Sequence, residues 1–195
     1  MSGRPAVFLD RDGTLVREVD FLVHPDELEL LPGAAEAVAD LARAGFAIVL
    51  VTNQSGVARG YLDEERLAEI HARLAELLAA HDARLDLVLY CPHHPDHGGP
   101  EHRRACECRK PAPGMTLEAI RRLELDAAAS WTIGDSLRDA QAGLAAGTRA
   151  ILVRTGKGEA QLADLAGAGL EDRVLVAEDL AEAARTVLAG ARQGR

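Results

Sequence analysis

Apolar and polar positions alternate along this chain in blocks. Short, nearly unbroken apolar runs are followed by longer stretches with apolar residues at helical spacing. Residues 5–9, Phe46–Val51, Leu85–Tyr90, Trp131–Ile133, Arg149–Val153 and Val174–Val176 read as strands, and continuous apolar runs fit strands covered on both faces. Between them, Gly33–Arg43, Asp63 to about Ala80, Gly114–Leu125, Ser136 to about Ala146 and Glu178–Leu188 read as helices. Gly45 suits a C-terminal cap, while Asp63 and Ser136 suit N-caps. Pro113 stands where proline starts a helix. Strand and helix take turns throughout, which predicts an α/β fold: a doubly wound, Rossmann-like parallel sheet. Residues 1–189 read as one domain, and 190–195, small and polar, as a frayed tail.

Several strands run straight into polar residues. Leu9 is followed by Asp10-Arg11-Asp12-Gly13-Thr14, Val51 by Thr52-Asn53, and Ile133 by Gly134-Asp135-Ser136. Ligands of open α/β sheets bind at this carboxyl edge. Side chains alternate along a strand, so Asp10 and Asp12 leave its end on the same side. Two carboxylates in one place are tolerable when a cation lies between them or one holds a proton. Taken alone, Asp-x-Asp-Gly also fits an Asx-type turn with solvated acids. The residues from Phe21 to Pro32, with His24-Pro25-Asp26 inside, read as a loop, either ordered beside the site or a plain connector.

Composition narrows the partners. The chain has 22 basic and 31 acidic residues, a formal net charge of -9, which disfavours nucleic acid or an anionic membrane surface as a partner. Lacking a leader pattern or an apolar run near the ~20 residues a bilayer requires, the sequence suggests a cytoplasmic location. A monomer is expected.

The three cysteines, Cys91, Cys106 and Cys108, fall close together, and His93 stands beside the first. Three thiolates and one imidazole suit tetrahedral zinc, with free thiols as the alternative. Four protein ligands leave no open position, so such a zinc is structural. It would fold the Gly- and His-rich segment 94–100 and fix Arg109 and Lys110 just beyond it. His71 and His81 read as solvated helical histidines, and Gly156-Lys157-Gly158 as an exposed turn rather than a phosphate clip.

Acids at several strand ends, the Thr52 hydroxyl and the Lys110 ammonium together suit phosphoryl transfer to a carboxylate. Magnesium takes oxygen ligands and keeps waters and substrate oxygens, so two or three acids suffice. Asp10 is the candidate nucleophile and Asp12 the candidate acid and base. Thr52, Lys110 and the metal are the candidates for stabilising the transferring group.

Asp10-Arg11-Asp12-Gly13-Thr14, Thr52-Asn53, Lys110 and Gly134-Asp135-Ser136-Leu137-Arg138-Asp139 resemble, in order, the four motifs of the haloacid dehalogenase superfamily of phosphatases. The resemblance implies Mg²⁺ held by the Asp10 and Asp135 side chains and the Asp12 backbone carbonyl, with Asp139 in support and Thr52 and Asn53 at the substrate. Thr52–Gly60, Cys91-Pro92-His93-His94-Pro95 and Cys108-Arg109-Lys110-Pro111 look like the signature of its zinc-loop subfamily, which handles heptose bisphosphates and histidinol phosphate. The long loop between His93 and Cys106 resembles the heptose enzymes, implying a sugar bisphosphate as partner. Ser136 and Asp20-Phe21-Leu22 depart from the usual residues there. A catalytically silent binding protein of the same fold is the alternative outside catalysis. Between the motifs every residue is already used by a strand, helix or loop, so no separate cap domain is expected. The rim then falls to loops, and Arg109 is the candidate for a second anionic group, because a guanidinium fork matches phosphate.

Overall fold

The structure, a computed structural model, describes residues 3–193. Six strands form one parallel sheet: β1 (Ala6–Leu9), β2 (Ala47–Asn53), β3 (Leu87–Cys91), β4 (Trp131–Gly134), β5 (Arg149–Val153) and β6 (Val174–Ala177), in the order β3-β2-β1-β4-β5-β6. The doubly wound arrangement read from the alternating pattern is therefore present, with its switch point between β1 and β4. In register, Phe8 lies opposite both Val49 and Thr132, so the polar residues after Leu9 and Ile133 emerge side by side.

Helices cover both faces. On one, α1 (Ala34–Arg43), α3 (Glu64–Ala79) and α7 (Leu180–Gln193) close over Val7, Leu9, Ile48 and Leu50. On the other, α4 (Gly114–Leu123) packs on Phe8, Val49 and Val51. Beside it α5 (Leu137–Ala145) and α6 (Gly158–Gly167) pack on Ala150 and Leu152. Burial on both faces explains why β1 and β2 lack any polar alternation. Asp63 caps α3 by accepting from the Arg66 amide at 2.7 Å, and Gly45, at φ +98°, lies just past the end of α1.

The differences from the sequence reading are local. Strand β2 runs on to Asn53 because β3 pairs with it as far as Cys91. A single helical turn, α2 (Ser55–Ala58), and the whole of α6 carry too little periodic apolar pattern to be read. Helix α7 continues through Gln193, into the segment expected to fray, and 194–195 lie outside the described residues. The 16–32 segment is ordered: Val16 bridges to Leu30, a one-turn 3-10 helix spans Pro25–Glu27, and Leu22 and Leu28 are buried. Among the described residues no helix is long and apolar enough to cross a membrane. They show no separate cap; loops from the sheet edge form the rim.

Candidate active site

The turn after β1 is tight. The amides of Leu15 and Val16 both donate to the Arg11 carbonyl, at 2.9 and 3.0 Å, and the Gly13 amide donates to the Val16 carbonyl at 2.8 Å. Gly13 has φ +76°, a conformation open to glycine. A Cβ there would collide with the Asp135 carboxylate, as would one at Gly156. The two glycines thus let two backbones close around one acid. The Thr155 hydroxyl donates to the Gly13 carbonyl at 2.6 Å, and the Lys157 amide donates to Asp135 Oδ2 at 2.8 Å. Gly156 and Lys157 form the exposed turn expected, and that turn closes on the site through the Lys157 amide. Gly158 is buried, and Lys157 reaches over the site to pair with Glu18 at 2.8 Å.

Lys110 is 5 % exposed although it lies in a loop. Its ammonium donates to the Val51 carbonyl at 2.7 Å and lies 2.9 Å from Asp10 Oδ1 and 2.5 Å from Asp139 Oδ1. Burial works against the charge, but the Asp10 and Asp139 carboxylates outweigh it and hold the Lys110 pKa above its ordinary value. Asn53 fixes the backbone here. Its amide accepts from the Lys110 N–H and donates to the Lys110 carbonyl, both at 3.1 Å. Asn53, expected at the substrate, lines the cavity and also holds the Lys110 backbone.

Carboxylate oxygens of Asp10, Asp135 and Asp139 lie within 4.8 Å of one another. Burial, reinforced by the Asp10 charge, pushes Asp135 up to about 7. Burial pushes Asp139 up to about 6 even with Lys110 beside it. Asp139 gives one oxygen to Lys110 and the other to the Ser136 amide at 3.0 Å. Asp10 Oδ1 is buried without an aligned hydrogen bond. The donor set therefore fits a hard cation: Asp10 and Asp135 have oxygens to offer, and Asp139 holds the lysine that balances them.

Asp12 is held differently. Its carboxylate accepts from Arg11 Nε and Nη2, both at 3.0 Å, and from Gln54 Nε2 at 2.9 Å. Thr52, 1 % exposed, also accepts from Gln54 at 2.9 Å. Arg11 and Gln54 did not emerge from the sequence as site residues. The signal was present in the period of two, which puts Thr52 and Gln54 on one side of the chain. His71 is not a solvated helical histidine. It is half-buried, with Nε2 3.5 Å from Arg11 Nη1. Burial first, and the Arg11 charge second, lower its pKa to about 3. His81 is exposed beside Glu36, as expected.

Beyond β3 the chain folds back so that Cys91, His93, Cys106 and Cys108 come together. The sulfurs are 3.1 to 3.5 Å apart, and His93 Nδ1 lies 3.3 Å from Cys108 Sγ. Three thiols and one imidazole nitrogen converging this way can hold zinc. Burial and the neighbouring Cys108 push the Cys91 thiol well up, so metal binding must displace protons. With a metal on Nδ1, Nε2 carries the ring proton, and Arg104, now 2.7 Å from Nε2, has to turn aside. Arg109 leaves this knot half-buried, donating to the His93 carbonyl at 3.0 Å.

Asp10, Asp12, Thr52, Lys110, Asp135 and Asp139 line one cavity of about 340 Å³, together with Phe21 and Arg109; the cysteine cluster lies outside it.

A HAD-hydrolase-like family model matches residues 107–183. The D-glycero-beta-D-manno-heptose-1,7-bisphosphate 7-phosphatase of Photorhabdus laumondii is 47% identical over 157 residues, covering 80% of this chain and 83% of the relative. The same enzyme of Escherichia coli K12 is 46% identical over 155 residues, 78% of this chain and 81% of its own. A crystal structure of D,D-heptose 1,7-bisphosphate phosphatase from B. bronchiseptica, complexed with magnesium and phosphate, superposes with a TM-score of 0.85 at 41% identity. That match covers 95% of this chain and 99% of the other. The chain belongs to this family of HAD-like phosphatases.

Proposed function

We propose that the protein hydrolyses phosphate monoesters through an aspartyl-phosphate, removing the 7-phosphate of D-glycero-D-manno-heptose 1,7-bisphosphate. The observation that carries this reading is the buried Lys110 ammonium between Asp10 and Asp139, next to Asp135 at the switch point. The substrate reading rests on the relatives and on the long loop between His93 and Cys106.

In this reading an Asp10 oxygen bonds to phosphorus as the bond from phosphorus to the sugar oxygen breaks. The departing oxygen takes a proton from Asp12. Asp12, now ionised, takes a proton from water as that water attacks phosphorus. The bond to Asp10 then breaks, and inorganic phosphate leaves. The Thr52 hydroxyl donates to a transferring oxygen, and the Lys110 charge beside Asp10 stabilises the negative charge that develops there. Asp10, Asp135 and the Asp12 carbonyl would hold magnesium, which would supply positive charge to offset repulsion between carboxylate and phosphate. Arg109 grips the second phosphate at the rim. Cys91, His93, Cys106 and Cys108 would hold a structural zinc, which would keep Arg109 and Lys110 in place. Residues 1–189 act as one domain, in a cytoplasmic monomer.

Replacing Asp10 with Asn tests the covalent step: phosphate release is abolished while the fold persists. Turnover near the wild-type rate would rule out Asp10 as nucleophile.

A further inference from the structure

Arg11 is among the largest fully buried side chains, 1 % exposed, in the wall of a polar site. A buried guanidinium is costly unless its donors are met. Here three of the five are. Nε and Nη2 reach the two oxygens of Asp12 at 3.0 Å, Nη2 also donates to Gln54 Oε1 at 2.9 Å, and Nη1 faces His71 Nε2 at 3.5 Å. Gln54, 6 % exposed, closes the ring by donating from Nε2 to Asp12 Oδ2 and to Thr52 Oγ1, each at 2.9 Å.

The ring has only one self-consistent polarity. Arginine can only donate, so Gln54 must turn its oxygen toward Arg11 and its NH₂ toward Asp12 and Thr52. Two consequences follow. Asp12 Oδ2 already accepts two hydrogen bonds, while Oδ1 accepts one, so Oδ1 is the oxygen with capacity to spare. Thr52 Oγ1 already accepts from Gln54, which leaves its own O–H to donate elsewhere. An aspartate χ2 is otherwise a soft, broad torsion, and here any large rotation breaks three hydrogen bonds.

We infer that Arg11 and Gln54 are positioning residues: their hydrogen-bonded ring fixes the Asp12 carboxylate for proton transfer at Oδ1 and sets the Thr52 hydroxyl as a donor. This rests on the reading of Asp12 as acid and base given above. Neither residue touches the reacting atoms; each acts through Asp12 or Thr52.

The test separates positioning from plain structural support by the leaving group. Departure of a sugar alkoxide requires the Asp12 proton, whereas 4-nitrophenolate leaves without one. Rapid-quench measurement of phosphoryl transfer to the holoenzyme is made with heptose bisphosphate and with 4-nitrophenyl phosphate, for Gln54→Met and Arg11→Lys. Arg11→Lys keeps the charge but loses the fork, and circular dichroism with thermal melting checks that each variant is folded. General acid catalysis contributes about 10²-fold or more. The alkyl ester is therefore expected to slow at least ten times more than the aryl ester in Gln54→Met, with the same bias in Arg11→Lys. An equal loss with both esters, or no loss, overturns the inference. Should Arg11→Lys not fold, Gln54→Met decides alone. If wild-type protein cleaves the aryl ester but not heptose bisphosphate, the substrate reading fails instead, and the comparison is made with an alkyl phosphate it does hydrolyse.

Discussion

Lys110 Nζ lies 2.9 Å from Asp10 Oδ1, in a loop 57 positions beyond Asn53 that the Asn53 side chain pins by two backbone hydrogen bonds. The ammonium therefore sits beside the Asp10 carboxylate with no freedom to wander, because the Val51 carbonyl and Asp139 take its other donors.

Lys110→Met removes a preorganised positive charge from the transferring group. Loss of one such stabilising group typically costs about 10²–10³ in kcat, and that loss is expected in steady-state phosphate release. Breaking a buried pair also destabilises, by about 3–5 kcal/mol, so a lower melting temperature should accompany it. Full activity in the variant would contradict the role given to Lys110.

Zinc binding is checked by metal analysis and hydrogen exchange. Protein purified without chelator should carry one equivalent of zinc. Stripping it, or making Cys108→Ser, should raise exchange throughout 91–110 and lower activity through Arg109 and Lys110. Metal-free protein with a protected loop would refute the structural role.

His71 makes stability depend on acid. Its folded pKa is about 3, below the ordinary 6.5, so the unfolded chain takes a proton that the folded protein refuses. The contribution is complete above about pH 6.5 and drains away as pH falls toward 3. By pH 4.5 the loss is ~3 kcal/mol at most. Urea unfolding at pH 7 and pH 4.5 should show a smaller acid loss in His71→Gln than in wild type. Equal losses would mean that His71 is not held neutral.

The sheet was legible because β1, β2 and β4 are buried on both faces and break abruptly into polar residues, so both their extent and their chemistry show in the letters. Asp10, Asp12, Asp135 and the four candidate zinc ligands could be read for the same reason: each stands at a fixed offset from a strand end or a neighbouring ligand. What could not be read depends on long-range packing. His71 looks solvated on its helix until Arg11 is found beneath it. Lys157 does lie in an exposed turn, but that this turn closes on Asp135, against Gly13 and Gly156, shows only in the packing. Asn53 stands where a substrate ligand belongs, yet tertiary structure uses it to hold Lys110. Helix α6 is nearly all small or polar outside Leu162 and Leu165, so its amphipathic pattern is faint.

The most direct test of the account is turnover of D-glycero-D-manno-heptose 1,7-bisphosphate beside histidinol phosphate, with Mg²⁺ present and the product followed by phosphorus NMR. The account predicts one equivalent of inorganic phosphate and accumulation of heptose 1-phosphate, at a kcat/KM far above that for histidinol phosphate. Preference for histidinol phosphate, loss of the 1-phosphate instead, or release from neither substrate would contradict it.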